Sequence, residues 1–119
     1  MRARPIARLM LLLCALAANV RAQDAEIPPF VTTPSDVVVE MLKFARTGPA
    51  DLVADLGSGD GRIVIAAAAH FGARGLGIEL DPVLVEASRR NAASAGVADR
   101  VRFVQGDVLH ADFAQASVV

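Results

Sequence analysis

Trp and Tyr are absent and cysteine occurs once, at Cys14, so no site can draw on a phenol or an indole. Cys14 lies in an N-terminal stretch that reads as removable. The remainder therefore has no disulfide, no cysteine metal site and no thiol nucleophile. Long apolar runs are missing too. The longest, Leu9–Ala18, belongs to a stretch of roughly 10–12 apolar residues, whereas a membrane-spanning helix needs about 20. The two histidines, His70 and His110, have no partner at metal or triad spacing, and no metal site is expected. His70 falls near a helix C-terminus, where the dipole favours a surface imidazole.

What the N-terminus does hold is a basic head (Arg2, Arg4, Arg8), the apolar run, and small residues after it. This is the pattern of a secretory signal over residues 1–22. Val20 and Ala22 suit a cut after Ala22, while Leu13 is too large for a lipoprotein cut before Cys14. A buried N-terminal helix is the competing reading, and Arg8 and Asn19 argue against it. An exported, periplasmic domain is expected, with a cytoplasmic or membrane-tethered one as the alternative if the signal is retained. Residues 23–119 carry eight basic residues against thirteen acids, a net of −5. That balance gives no electrostatic footprint for nucleic acid or an anionic membrane.

Residues 23–33, with Ile27-Pro28-Pro29-Phe30, read as an extended linker. Thr33-Pro34-Ser35-Asp36 predicts a helix start, Thr33 as N-cap and Pro34 in the first turn. Val38, Met41, Leu42 and Ala45 recur at helical spacing and are expected in the core, with Gly48-Pro49 as the stop. Leu52–Leu56 is a strand candidate, Gly57–Gly61 a glycine loop, and Ile63–Phe71 an apolar helix. Gly75–Leu80 is a second strand. Asp81-Pro82 starts a helix that Gly96 stops. Arg100–Gln105 is a third strand, and Ala116–Val119 resembles the start of a fourth. Strands alternating with helices through short connections predict an α/β fold: a Rossmann-like parallel sheet with flanking helices. An unpaired parallel edge is a poor place for a domain to end. Residues 34–119 are thus expected to be the N-terminal half of a larger domain, strands 1–3 and the start of strand 4.

In such a sheet, ligands sit beyond the carboxyl ends of the strands. Asp55, Glu79 and Asp107 fall at those three ends, each near a glycine (Gly57, Gly77, Gly106). Glu79 follows Gly57 by 22 positions, close to the roughly 20 that separate a glycine loop from a ribose-binding acid. The glycines read Gly57-x-Gly59-x-Gly61, without the dinucleotide spacing. Asp55 and Asp60 flank the loop. One carboxylate about 5 Å from a phosphate charge costs roughly 3 kcal/mol at an effective dielectric near 20. A helix dipole returns only about 0.3–1 kcal/mol. An anionic phosphate ligand is disfavoured; a cationic one is not. S-adenosylmethionine offers an ammonium, a sulfonium, a ribose diol and an adenine amine, and three acids at three strand ends match its donors. Its own carboxylate would use loop N–H groups near Ser58 and Gly59.

Val53–Gly61, Gly77–Asp81 and Val104–Val108 resemble the first three motifs of class I (seven-strand) S-adenosylmethionine-dependent methyltransferases, in order and spacing over residues 51–108. The resemblance implies that Asp55, Gly57 and Gly59 meet the methionine part of the cofactor, Glu79 the ribose, and Asp107 with Val108 the adenine. Phe30-Val31-Thr32-Thr33-Pro34 before a helix, together with Gly57–Ile63, is similar to small bacterial relatives of the mitochondrial lysine methyltransferases. That likeness implies Thr33 as a further cofactor contact and a protein lysine as acceptor. No catalytic base is nominated. An NAD-type oxidoreductase fragment and a truncated non-catalytic domain are the rival readings.

Blander roles compete at several positions. Asp55 can also be read as a brace for its turn and Asp60 as the N-cap of the apolar helix, while Asp81 is read as the cap before Pro82. Gly61 is read as allowing close helix–strand packing, Arg89-Arg90 as a solvated face, and Met41 as core.

Overall fold

The computed structural model describes residues 30–119. The signal expected at residues 1–22 and the linker residues 23–29 lie outside the described residues. Three strands, β1 (Leu52–Leu56), β2 (Arg74–Glu79) and β3 (Val101–Gln105), form a parallel sheet in the order β1-β2-β3. Asp55 pairs in register with Gly77, Gly77 with Phe103, and Glu79 with Gln105, so the carboxyl ends align. On the free side of β1, Val118 forms a parallel bridge to Val53, and the Ala54 N–H donates to the Val118 carbonyl at 2.8 Å. The chain therefore steps outward from β1 to β3 and returns to the opposite edge of β1. That reversal is where α/β sheets open a crevice for ligands. The Rossmann-like sheet and the strand start expected at Ala116–Val119 are both present.

Helices α1 (Ser35–Phe44), α2 (Arg62–Phe71) and α3 (Pro82–Ser94) flank the sheet. The core gathers Val38 and Leu42 of α1, Val64, Ala67 and Ala68 of α2, and Val85 and Ala92 of α3 against Val53 and Phe103. Complete burial of a side chain such as Val64 contributes roughly 1.5–3 kcal/mol. Asp81 caps α3 as expected, its Oδ1 accepting the Val83 N–H at 2.8 Å. Gly96, at φ 71°, closes the other end: the Val97 N–H donates to the Ala92 carbonyl and the Gly96 N–H to that of Ala93. This is a Schellman closure.

Three expectations for α1 are corrected. Thr33 is not its N-cap; Pro34 holds that position, with no side-chain cap bond. The first helical bond starts from Pro34, whose carbonyl accepts the Val38 N–H at 3.0 Å, while Thr33 lies in the extended strap before it. The helix also ends before Gly48-Pro49. Arg46 takes the left-handed conformation (φ 55°), with Arg46 N–H to Lys43 carbonyl and Thr47 N–H to Leu42 carbonyl, another Schellman closure. Finally, Met41 is 48% exposed and Ala45 is exposed, so neither is core. Val38 and Leu42 carry the packing, while Met41 and Ala45 line an open cleft with Val53, Ile63 and Val118.

No helix among the described residues is long and apolar enough to cross a membrane.

Candidate functional site at the carboxyl ends of the strands

After Leu56 the chain must turn from β1 into α2 within five residues, and glycines carry the turn: Gly57, Gly59 and Gly61 all have positive φ. Gly61 needs to be glycine for a second reason. A Cβ there would lie 2.7 Å from the Phe103 ring and 3.0 Å from Ser88 Cβ, so the expected close packing is present. The loop is held by its carbonyls from the α3 side. Ser88 Oγ lies 2.9 Å from both the Gly59 and the Leu84 carbonyls, which share its one hydroxyl hydrogen, and Asn91 Nδ2 donates to the Asp60 carbonyl at 3.0 Å. Neither residue is evident from the sequence as a site residue. The one signal is a polar Ser88 on the buried stripe Val85–Ser88–Ala92.

The loop N–H groups are less free than expected. Those of Gly57 and Ser58 both donate to the Ile78 carbonyl, at 2.8 and 3.0 Å. That of Gly59 donates to Glu79 Oε2 at 2.8 Å. Ser58 Oγ is buried and has no hydrogen-bond partner among the described residues; it lies beside Gly77, where an added Cβ would come within 2.7 Å of it.

Asp55, at the end of β1, is half-buried, and burial raises its carboxyl above the usual range, with the nearby Glu79 charge adding to the effect. Among the described residues, no hydrogen bond offsets that rise. A partly desolvated carboxylate with a second one nearby favours a cationic neighbour. Glu79, at the end of β2, accepts from Gly59 N–H and, through Oε1, from Asp81 N–H at 3.1 Å. A carboxylate has about four lone-pair sites, so acceptor capacity remains.

Asp107 sits one strand further out and starts a short 3₁₀ turn, Val108–His110. Its Oδ1 accepts the Leu109 N–H at 2.9 Å and its Oδ2 lies 3.3 Å from His110 Nδ1. The Leu109 N–H, then His110, hold its carboxyl below the usual range. Val108 is partly exposed beside it. The sheet thus joins Asp55, Glu79 and the glycine loop into one cluster, with Asp107 and Val108 as the neighbouring rim.

Asp60 keeps part of the capping role its sequence position suggests, its Oδ1 accepting the Arg62 N–H at 3.3 Å. The N-cap position of α2 is occupied by Gly61. Asp60 also pairs with the Arg62 side chain, Oδ2 to a guanidinium nitrogen at 2.6 Å and Oδ1 to Nε at 3.0 Å. These bonds lower its carboxyl below the usual range. Its charge is largely offset, so repulsion of a phosphate at the loop rests on Asp55. The same Arg62 donates to the Thr33 carbonyl at 3.0 Å. Thr33 therefore reaches the loop through its backbone, and Phe30 lies over Gly59. Arg89 is not simply solvated: it donates to the Phe103 carbonyl at 3.2 Å.

Comparison with known proteins places this geometry. Residues 55–119 match the model of the ANTKMT methyltransferase domain. A protein-lysine N-methyltransferase of Saccharolobus islandicus is 38% identical over 92 residues, 76% of this chain and 57% of its own length. An ATP synthase lysine N-methyltransferase of Mus musculus is 45% identical over 91 residues, 76% of this chain and 36% of its own length. The crystal structure of an RNA methyltransferase from Salinibacter ruber in complex with S-adenosyl-L-homocysteine is 56% identical, with a TM-score of 0.73, over 73% of this chain and 57% of that one. The chain spans little more than half the length of these relatives, or less. The oxidoreductase alternative finds no support among them. Because the family model takes in more than half of the sequence, the chain belongs to the ANTKMT methyltransferase domain family.

Proposed function

We propose that this chain is the cofactor-holding part of an S-adenosylmethionine-dependent methyltransferase whose acceptor is a protein lysine. One observation carries the reading: the half-buried Asp55 carboxylate stands at the end of β1, with Glu79 at the end of the adjacent β2 bonded to the glycine loop, at the sheet's switch point. That arrangement suits a cationic adenosyl ligand and opposes a phosphorylated one. When bound, the cofactor supplies a methyl group activated by its sulfonium. Asp55 holds the ammonium, with Gly57, Ser58 and Gly59 shaping the loop against the methionine part. Glu79 takes the ribose hydroxyls, Asp107 and Val108 border the adenine, and Thr33 flanks the pocket from the strap. These residues bind and align; no base is assigned among them. The gain is proximity for an in-line displacement.

The lysine acceptor is supported by the curated relatives, named for lysine methylation. An RNA acceptor is the second reading, favoured by the name of the Salinibacter ruber structure and opposed by the net acidic charge of residues 23–119. Residues 1–22 are read as an export signal and residues 34–119 as the N-terminal half of the catalytic domain.

Calorimetry with S-adenosylhomocysteine and with NAD tests the cofactor: tighter binding of NAD would sink the reading. Transfer of labelled methyl groups then separates acceptors by whether methyllysine or methylated nucleosides are recovered. Label in neither supports a non-catalytic domain. Mass spectrometry of the secreted N-terminus tests the cut after Ala22.

A further inference from the structure

Residues 30–34 form an extended strap that crosses from the start of α1 to the glycine loop. Its Phe30 ring rests where a side chain on residue 59 would be; a Cβ at Gly59 would collide with it. Among the described residues, the strap's single polar tie to the loop is the Arg62 guanidinium on the Thr33 carbonyl. Arg62 does not reach out as a free side chain. Asp60 grips it along one edge through two bonds, at 2.6 and 3.0 Å, which fixes the plane of the fork and aims the remaining nitrogen at Thr33. Asp60 is itself fixed, because Asn91 of α3 donates to its carbonyl. A chain of bonds thus runs from α3 through the loop to the strap.

We infer that Arg62 is a positioning residue: it latches the strap across the glycine loop and makes Phe30 one wall of the cofactor pocket. The pocket role rests on the methyltransferase reading above, whereas the latch itself does not. A lysine keeps the charge but lacks the planar fork, so it cannot hold Asp60 along one edge and Thr33 with the third nitrogen.

The absence of tryptophan makes the latch measurable without cofactor. In a Phe30→Trp chain, a single indole reports whether the strap is seated. Adding Arg62→Met should raise acrylamide quenching and lower the anisotropy of that indole, with circular dichroism unchanged. Quenching equal to that of the parent overturns the latch. Should the methionine variant fail to fold, Arg62→Lys carries the same test with the same expected direction. The second arm measures S-adenosylhomocysteine by calorimetry in chains that retain Phe30. Arg62→Met and Phe30→Ala should each weaken binding by about tenfold, and the double variant should be no weaker than either. Unchanged binding in both single variants, or additive losses, removes the pocket role. A parent chain that does not bind S-adenosylhomocysteine sinks the methyltransferase reading and leaves the indole measurement to judge the latch.

Discussion

Replacing Asp55 by Asn should make the chain more stable and less able to bind its cofactor. The carboxylate is half-buried, lies near Glu79, and accepts no hydrogen bond among the described residues. Its pKa is raised on folding, so the folded state holds its proton more tightly than the unfolded one. Near neutral pH the ionised group is therefore a net cost to the fold. The cost shrinks as pH falls through the raised folded pKa and is gone below the unfolded one. Asparagine is nearly isosteric and removes the charge, so the urea midpoint should rise at neutral pH, and the gain should fade in acid. Binding moves the other way. A hydrogen bond to a charged partner is worth about 1.5–3 kcal/mol, so S-adenosylhomocysteine should bind roughly 10- to 150-fold more weakly. Urea titrations at two pH values and calorimetry supply both numbers. A variant that loses stability while keeping its affinity would refute the assignment, because Asp55 would then be bracing its turn.

Three other outcomes follow from the geometry. Gly61→Ala combines a left-handed φ with a collision against Phe103; thermal denaturation should show a loss of about 2–5 kcal/mol. Ser88→Ala leaves the Gly59 carbonyl without its buried donor, and urea unfolding should register about 1–3 kcal/mol. The Asp60–Arg62 pair should respond to pH in the opposite sense to Asp55. A depressed carboxyl contributes stability that is present above the unfolded pKa and lost as pH falls through the folded one. The stability gap between the parent and Arg62→Met should therefore close in acid.

The line between what could be read and what could not follows the range of the interactions. The positive φ angles of Gly57, Gly59 and Gly61, Asp81 before Pro82, and Gly96 after α3 act on their own backbone or on residues a few positions away. Period and spacing along the chain were enough to place the strands, the parallel order and the three acids at its ends. Thr33 looked like a helix cap by the same local rules, but its carbonyl is taken by the Arg62 side chain, while Asp60 serves both the Arg62 N–H and its guanidinium. Met41 had the right period for the core, but α1 turns only Val38 and Leu42 fully inward. Nothing local tells Ser88 or Asn91 that a loop carbonyl 29 or 31 positions back needs a donor. Such partners are chosen when helices settle on a sheet, since every buried polar group must find a mate wherever packing delivers one. Local chemistry determined the elements and their chemical sign, and only the packed sheet decided which side chains share the site.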